Sequence, residues 1–386
     1  MRRNFMYLIA MILTVMAPVS LFSQKNQNSI NQITSSDMES YVSFLASPLL
    51  KGRMNGEEGL EIAAQYIASQ AKLIGLKPAN GTSYFQPYAV MKKTMDPNKT
   101  KVQIISNGKD TVTVKNPMFQ LVPTGPSDFT LEGEVVFAGY DIKVLNNVAG
   151  YIEGSDSVLK NEIVVFSSHY DHIGASGSKI NTGADDDASG CAALLSMAEA
   201  FQSLEKKPLR SILFLWVSGE EIGLYGSKSY VDNPLFPLEK TVVDLNMDMI
   251  GRVKGVADST KENPMSGTNT VFVITDNQSK DLRSIADEID KKSPLDFDYS
   301  LSGRDHPLQL FARSDHYNFV EKDIPVLFFT TGLHTDYHTP GDVVEKIDFK
   351  KMEMVTRTMF EIGLTVANRK TRLIVDNPFS SWGKSK

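Results

Sequence analysis

The chain has almost no cysteine: Cys191 is the single one in 386 residues. No internal disulfide can form, so stability must come from a buried core and from whatever the side chains bind. Long basic runs are also missing and the net charge is a modest -6. A phosphate-neutralising surface is thereby excluded, and nucleic acid with it as a partner. There is no internal repeat and no low-complexity tract. Only the apolar stretch from Phe5 to Phe22 approaches membrane-spanning length, and Pro18 and Ser20 interrupt it.

That stretch follows Arg2 and Arg3, and small Ser23 then precedes polar Gln24-Lys25-Asn26, the layout of a secretory signal peptide over residues 1–23. Export to the periplasm or the extracellular space is expected, without a stable membrane partner. An uncleaved anchor is the competing reading. With 41% hydrophobic and 22% charged residues the rest of the chain has the makeup of a globular protein with a sizeable core.

Apolar residues at three-to-four spacing predict amphipathic helices over Ser36 to Ala46 and Gly59 to Leu76. Between about Tyr84 and Asp141 the texture changes to short alternating segments such as Lys101 to Ile105 and Thr111 to Val114, set apart by Asn-Gly and Pro turns. A short β-rich insertion over 92–142 is expected, within a main domain made of 24–91 and 143–370, followed by a tail over 371–386. From Val148 onward, near-continuous apolar strands (162–166, 211–217, 242–247, 271–274, 326–329) alternate with helical patterns. Such strands suit a sheet buried on both faces, so the fold class is α/β with a mixed, largely parallel central sheet flanked by helices.

In that class ligands gather beyond the carboxyl ends of the strands. Three strand ends here carry His169, the Glu220-Glu221 pair and Asp248. His169-Tyr170-Asp171 sets a carboxylate two residues from an imidazole, where it can hold the far ring nitrogen. Gly183 to Gly190 encloses Asp185, Asp186 and Asp187 just before a helical pattern; an acidic turn capping that helix is an equal reading, and a calcium loop lacks its ligand spacing. Adjacent Glu220 and Glu221 at a buried strand end repel each other, at a cost of about 4 kcal/mol for charges about 4 Å apart in an effective dielectric of about 20. Asp248 lies among methionines, where an unpaired charge is expensive. His338, in Tyr337-His338-Thr339-Pro340, supplies a second imidazole. Cations are needed to offset these carboxylates, and mixed oxygen and imidazole donors suit a pair of zinc ions.

The motifs His169-x-Asp171, Gly183-Ala-Asp-Asp186-Asp-Ala-Ser-Gly190, Glu220-Glu221, Asp248 and Tyr337-His338-Thr-Pro resemble the secreted two-zinc aminopeptidase family, the bacterial leucyl aminopeptidases and their glutamate carboxypeptidase II-like relatives. The likeness extends to Leu50-Lys51-Gly52-Arg53, Gly223 to Ser227, Arg313-Ser314-Asp315-His316 and the stretch from Asn147 to Asp156. It implies a zinc exopeptidase fold and two Zn2+ per chain. By the same resemblance His169 and Asp248 would complete one site, Glu221 and His338 the other, and Asp186 would bridge them. Glu220 would be the general base for a metal-bridging hydroxide that cuts the N-terminal peptide bond of peptide substrates. Tyr337 would steady the oxyanion and Asp171 would orient His169. A carboxypeptidase or a glutaminyl cyclase on the same fold, or a binding ectodomain without activity, are the alternatives. Two departures stand out: Asp187 where many members carry asparagine, and an insertion too short for the usual protease-associated β domain.

Other residues are set aside. Cys191 reads as packing, Asp185 and Asp187 as helix caps or supports, and His316 as either pocket lining or a structural hydrogen bond. His172 and His334 border ligand motifs without an assignable role. Phe311, Tyr317, Phe319 and Phe328 read as core, with one wall of an apolar pocket drawn from them.

Overall fold

The computed structural model describes residues 29–95, 101–106, 110–115, 129–134, 137–255, 263–275 and 277–381. The expected signal peptide lies outside them. Among the described residues no helix is long and apolar enough to cross a membrane. The chain divides into two compact units, residues 89–144 and the remainder. In the smaller unit the strand Lys101–Ser106 pairs antiparallel with Asp110–Lys115 on one side and with Phe129–Glu134 on the other.

The main unit is built on a sheet whose centre is parallel. Ser211–Val217, Ile163–His169, Thr241–Met247 and Val326–Thr330 lie side by side in that order, all running the same way. Antiparallel strands flank them, residues 148–152 of Phe137–Ile152 against Ser211–Val217 and Thr270–Ile274 against Val326–Thr330. Every residue of Ile163–His169, Ser211–Val217 and Thr241–Met247 is buried. That is why these segments read as continuous apolar runs: both faces are covered, so neither needs polar side chains.

The cover is helical. Phe201 of the helix Ala188–Ser203 packs against Phe166 of the sheet at 5.6 Å between ring centroids and against Phe360 of the helix Phe349–Asn368 at 4.4 Å. Each such buried ring contributes about 1.5–3 kcal/mol relative to exposure. The expected N-terminal helices form at Ser35–Leu45 and Glu58–Ile74, the second stopping earlier than its periodicity predicts because Gly75 turns left-handed at φ 89°. The first expected strand runs on to His169, three residues past its apolar core, because Ser167 and Ser168 keep register with Leu215 and Trp216. The C-terminal stretch is fastened as far as it is described: the backbone N–H groups of Asp376 and Asn377 donate to Gln278 O at 2.7 and 3.1 Å.

Parallel direction has one consequence for chemistry. His169 stands level with Val217 in the register, so the strand ends bearing His169, Glu220-Glu221 and Asp248 open on one edge.

Candidate metal centre

Asp186 stands at the middle of that edge with its two carboxylate oxygens facing opposite ways. Oδ1 is 3.2 Å from His169 Nε2, and Oδ2 is 3.2 Å from His338 Nε2. Asp248 Oδ1 lies 3.6 Å from His169 Nε2, and Glu221 Oε2 lies 3.0 Å from His338 Nε2. Two clusters result, His169 with Asp186 and Asp248, and Asp186 with Glu221, His338 and His172, each with its candidate atoms within 4.8 Å of one another. Donors about 2.0–2.2 Å from a tetrahedral zinc lie roughly 3.3–3.6 Å apart, which is close to these separations.

The residues fit such ions on a second ground. Asp186 Oδ2 and Asp248 Oδ1 are buried without a hydrogen-bond donor. Burial pushes the Asp248 carboxyl up. Burial also lowers His338, but the Asp186 and Glu221 carboxylates facing its Nε2 outweigh it and hold the imidazole up at about 10. Carboxylates this crowded call for positive charge, and the mixed imidazole and carboxylate donors are those zinc takes.

The loops that carry the donors are held mostly through backbone groups. The buried Arg53 guanidinium donates to Tyr170 O at 2.8 Å, Leu45 O at 2.6 Å, Thr182 O at 2.7 Å and Gly183 O at 3.0 Å, binding the loops after His169 and before Asp186 to the N-terminal segment. Asp187 Oδ1 accepts from Gly190 N at 2.9 Å and so caps the helix Ala188–Ser203, while Oδ2 accepts from His169 N at 3.2 Å. Gly190 makes that closeness possible, since a Cβ there would lie 2.6 Å from each Asp187 carboxylate oxygen. The Asp342 carboxylate accepts from Asp185 N and Asp186 N at 3.0 and 3.1 Å, and Asp185 Oδ1 accepts from Gly251 N at 2.6 Å. Cys191 is fully buried beneath this loop.

Asp171 meets His169 differently from the expectation. Its backbone O is 3.1 Å from His169 Nδ1, whereas its carboxylate Oδ1 is 3.7 Å away. The carboxylate instead accepts from Glu220 N and Glu221 N, both at 3.2 Å, and from Asn55 Nδ2 at 2.6 Å. Two adjacent amides aimed at one carboxylate fix the turn on which both glutamates stand.

Glu220 reaches a cleft that Asp186, Asp248, Arg313 and Tyr337 also line, with Met249, Leu310, Phe328 and Leu333 forming its apolar wall. Burial pushes the Glu220 carboxyl well up, and neighbouring Asp315, Asp248 and Glu221 add to this against the pull of His169. Tyr337 lies half-buried with its ring stacked on His338 at 3.9 Å, and its hydroxyl accepts from Arg313 Nη2 at 3.2 Å. Of the set-aside aromatics, Phe328 lines the cleft, while Phe311 and Phe319 are core. His316 is buried and stacks on Phe328 at 4.7 Å.

The residue that sequence reasoning missed is His172. Its Nδ1 lies 2.7 Å from Glu221 Oε1. The available signal was its position three residues after His169, but its partner is 49 residues further on.

The family model described as peptidase family M28 matches residues 147–363. Aminopeptidase YwaD of Bacillus subtilis is 30% identical over 227 residues, 56% of this chain but only 44% of its own length, so the match spans less than half of that relative. Leucine aminopeptidase 1 of Trichophyton equinum is 26% identical over 279 residues, covering 68% of this chain and 70% of that one. Among solved structures, the aminopeptidase from Aneurinibacillus sp. strain AM-1 superposes with a TM-score of 0.61 at 18% identity over 91% of this chain and 98% of that one. The zinc aminopeptidase BSAP from Bacillus subtilis gives 0.57 at 17% over 90% and 99%. These likenesses show the zinc exopeptidase fold. With a family model that takes in more than half of its length, the chain belongs to peptidase family M28.

Proposed function

We propose that this protein is an exported zinc aminopeptidase that removes N-terminal residues from peptides. The observation that carries the reading is the two-sided Asp186 carboxylate, with a donor cluster on each side, and Glu220 lining with Asp186 and Asp248 a cleft that has an apolar wall. His169, Asp186 and Asp248 would hold one zinc, and Asp186, Glu221 and His338 the other. Zinc, when bound, supplies the Lewis acidity that makes water nucleophilic near neutral pH.

The chain's own residues supply the rest. Glu220 takes the proton of the attacking water and returns it to the departing amine, a role typically worth ~10² to 10⁴ in rate. Asp171 holds Glu220 in place through its backbone amide. Tyr337 accepts from Arg313, and since guanidinium can only donate, the phenol proton stays free for the developing oxyanion. Met249, Leu310, Phe328 and Leu333 suit an apolar N-terminal side chain and exclude water around it. Export rests on the Arg2-Arg3 and apolar leader pattern.

The test is a panel of aminoacyl substrates, with peptides blocked at either end, assayed with and without chelator. Release of free apolar N-terminal residues that chelator abolishes is expected. Cleavage that persists on N-blocked peptides and yields C-terminal residues would assign a carboxypeptidase instead, and cyclisation of N-terminal glutamine a cyclase.

A further inference from the structure

We infer that His172 is the positioning residue for Glu221, holding it to single-oxygen ligation and setting the zinc affinity of the His338 side of the centre; this rests on the reading of Glu221 as a ligand. The two glutamate oxygens are already divided in the structure. Oε2 lies 3.0 Å from His338 Nε2, facing the candidate ion, while Oε1 lies 2.7 Å from His172 Nδ1. His172 Nδ1 is 3.7 Å from Asp186 Oδ2, too far for a hydrogen bond, so its contact is with Glu221 alone. A ligating carboxylate accepts only, so Nδ1 carries the hydrogen and donates it.

The imidazole has a built seat. Its side chain is fully buried, its backbone N–H donates to Arg53 O at 3.1 Å, and its ring meets that of His338 edge-on at 5.7 Å. Gly183 leaves the space: at φ 59°, an added Cβ would lie 2.7 Å from the His172 ring and 2.2 Å from Asp186 O. The same glycine therefore shapes the Asp186 loop and admits the ring. Glu221 stands on an exposed-side turn whose backbone Asp171 fixes, yet its carboxylate would still rotate or chelate with both oxygens without a partner on Oε1. Hydrogen-bonded partners of ligands commonly change metal affinity by 10–100-fold.

The test is zinc binding to metal-free protein, followed by calorimetry and by metal content after dialysis, on His172→Leu, His172→Asn and Glu221→Ala. In His172→Leu one zinc is expected to bind as in the parent and the other at least about 10-fold more weakly. His172→Asn, which can place an amide donor near the position of Nδ1, should recover most of the loss. Thermal unfolding of each metal-free variant separates misfolding from lost affinity, and a folded His172→Asn keeps the question answerable if His172→Leu fails to fold. Two equally tight zinc ions in folded His172→Leu, or in a folded His172→Asn no better than it, would overturn the proposal. Two tight zinc ions in Glu221→Ala would instead sink the ligand reading beneath it. A further loss on adding His172→Leu to Glu221→Ala would make His172 a ligand in its own right, which also overturns a positioning role.

Discussion

The two sides of the Asp186 carboxylate are built from unlike material. On one side His169, Asp186 and Asp248 are all buried, and His169 and Asp248 sit at the ends of neighbouring parallel strands. On the other, Glu221 is on a turn, and His338 has 35% of its side chain exposed in a loop at a left-handed φ of 56°. The sheet thus fixes one half of the centre, while loops complete the other. On the proposed function, the open half is the side from which a peptide would approach.

The largest effect that bears on this contrast comes from the shared residue. Asp186→Ala should empty both sides together and reduce turnover to background; elemental analysis that finds two tightly held zinc ions would break the idea of a shared bridge. Glu220→Gln comes next. It should keep both ions while turnover falls by ~10² to 10⁴, because the residue moves protons without ligating. Near-normal turnover in that variant would remove it from the mechanism.

The contrast is sharpened by paired variants. His169→Ala and His338→Ala should each cost one zinc, but only the first should destabilise the metal-free protein appreciably, by ~1–3 kcal/mol, since it opens a cavity in a buried site. Equal urea midpoints for the two metal-free variants would erase the distinction. The smallest effect is at acid pH. Burial pushes the His316 imidazole down to about 3, against a weaker opposing pull from the Phe311 backbone. An unfolded chain takes up a proton near pH 6.5 that the folded ring refuses, so this contribution is complete above about 6.5 and is lost as pH falls toward 3, at up to about 1.4 kcal/mol per unit. His316→Phe should flatten that part of the stability profile of the metal-free protein, and an unchanged slope would show that other groups dominate.

Much of the fold was legible because the central strands are buried on both faces and rich in apolar residues, and the acidic and imidazole site residues come at or just past their ends. The same break in hydropathy marked His169, Glu220, Glu221 and Asp248 as residues delivered to one edge. What could not be read depends on contacts remote in sequence. Asp342 supports Asp185 N from 157 residues away, and His172 finds Glu221 across 49. Asp171 shows a further limit: spacing suggested that its carboxylate faces His169, but two backbone amides on the next strand's turn compete for it and win. A side chain with one acceptor group goes to the donors the tertiary fold presents, not to its neighbour in sequence.

Arg53 gives the arrangement an order of failure. Its guanidinium is tied to carbonyls of Leu45, Tyr170, Thr182 and Gly183, none of which lies in a strand of the central sheet. A protease that clips the chain just ahead of this arginine would spare the sheet and loosen the loops, so the protein would lose the ions proposed for it while its circular dichroism stayed nearly native.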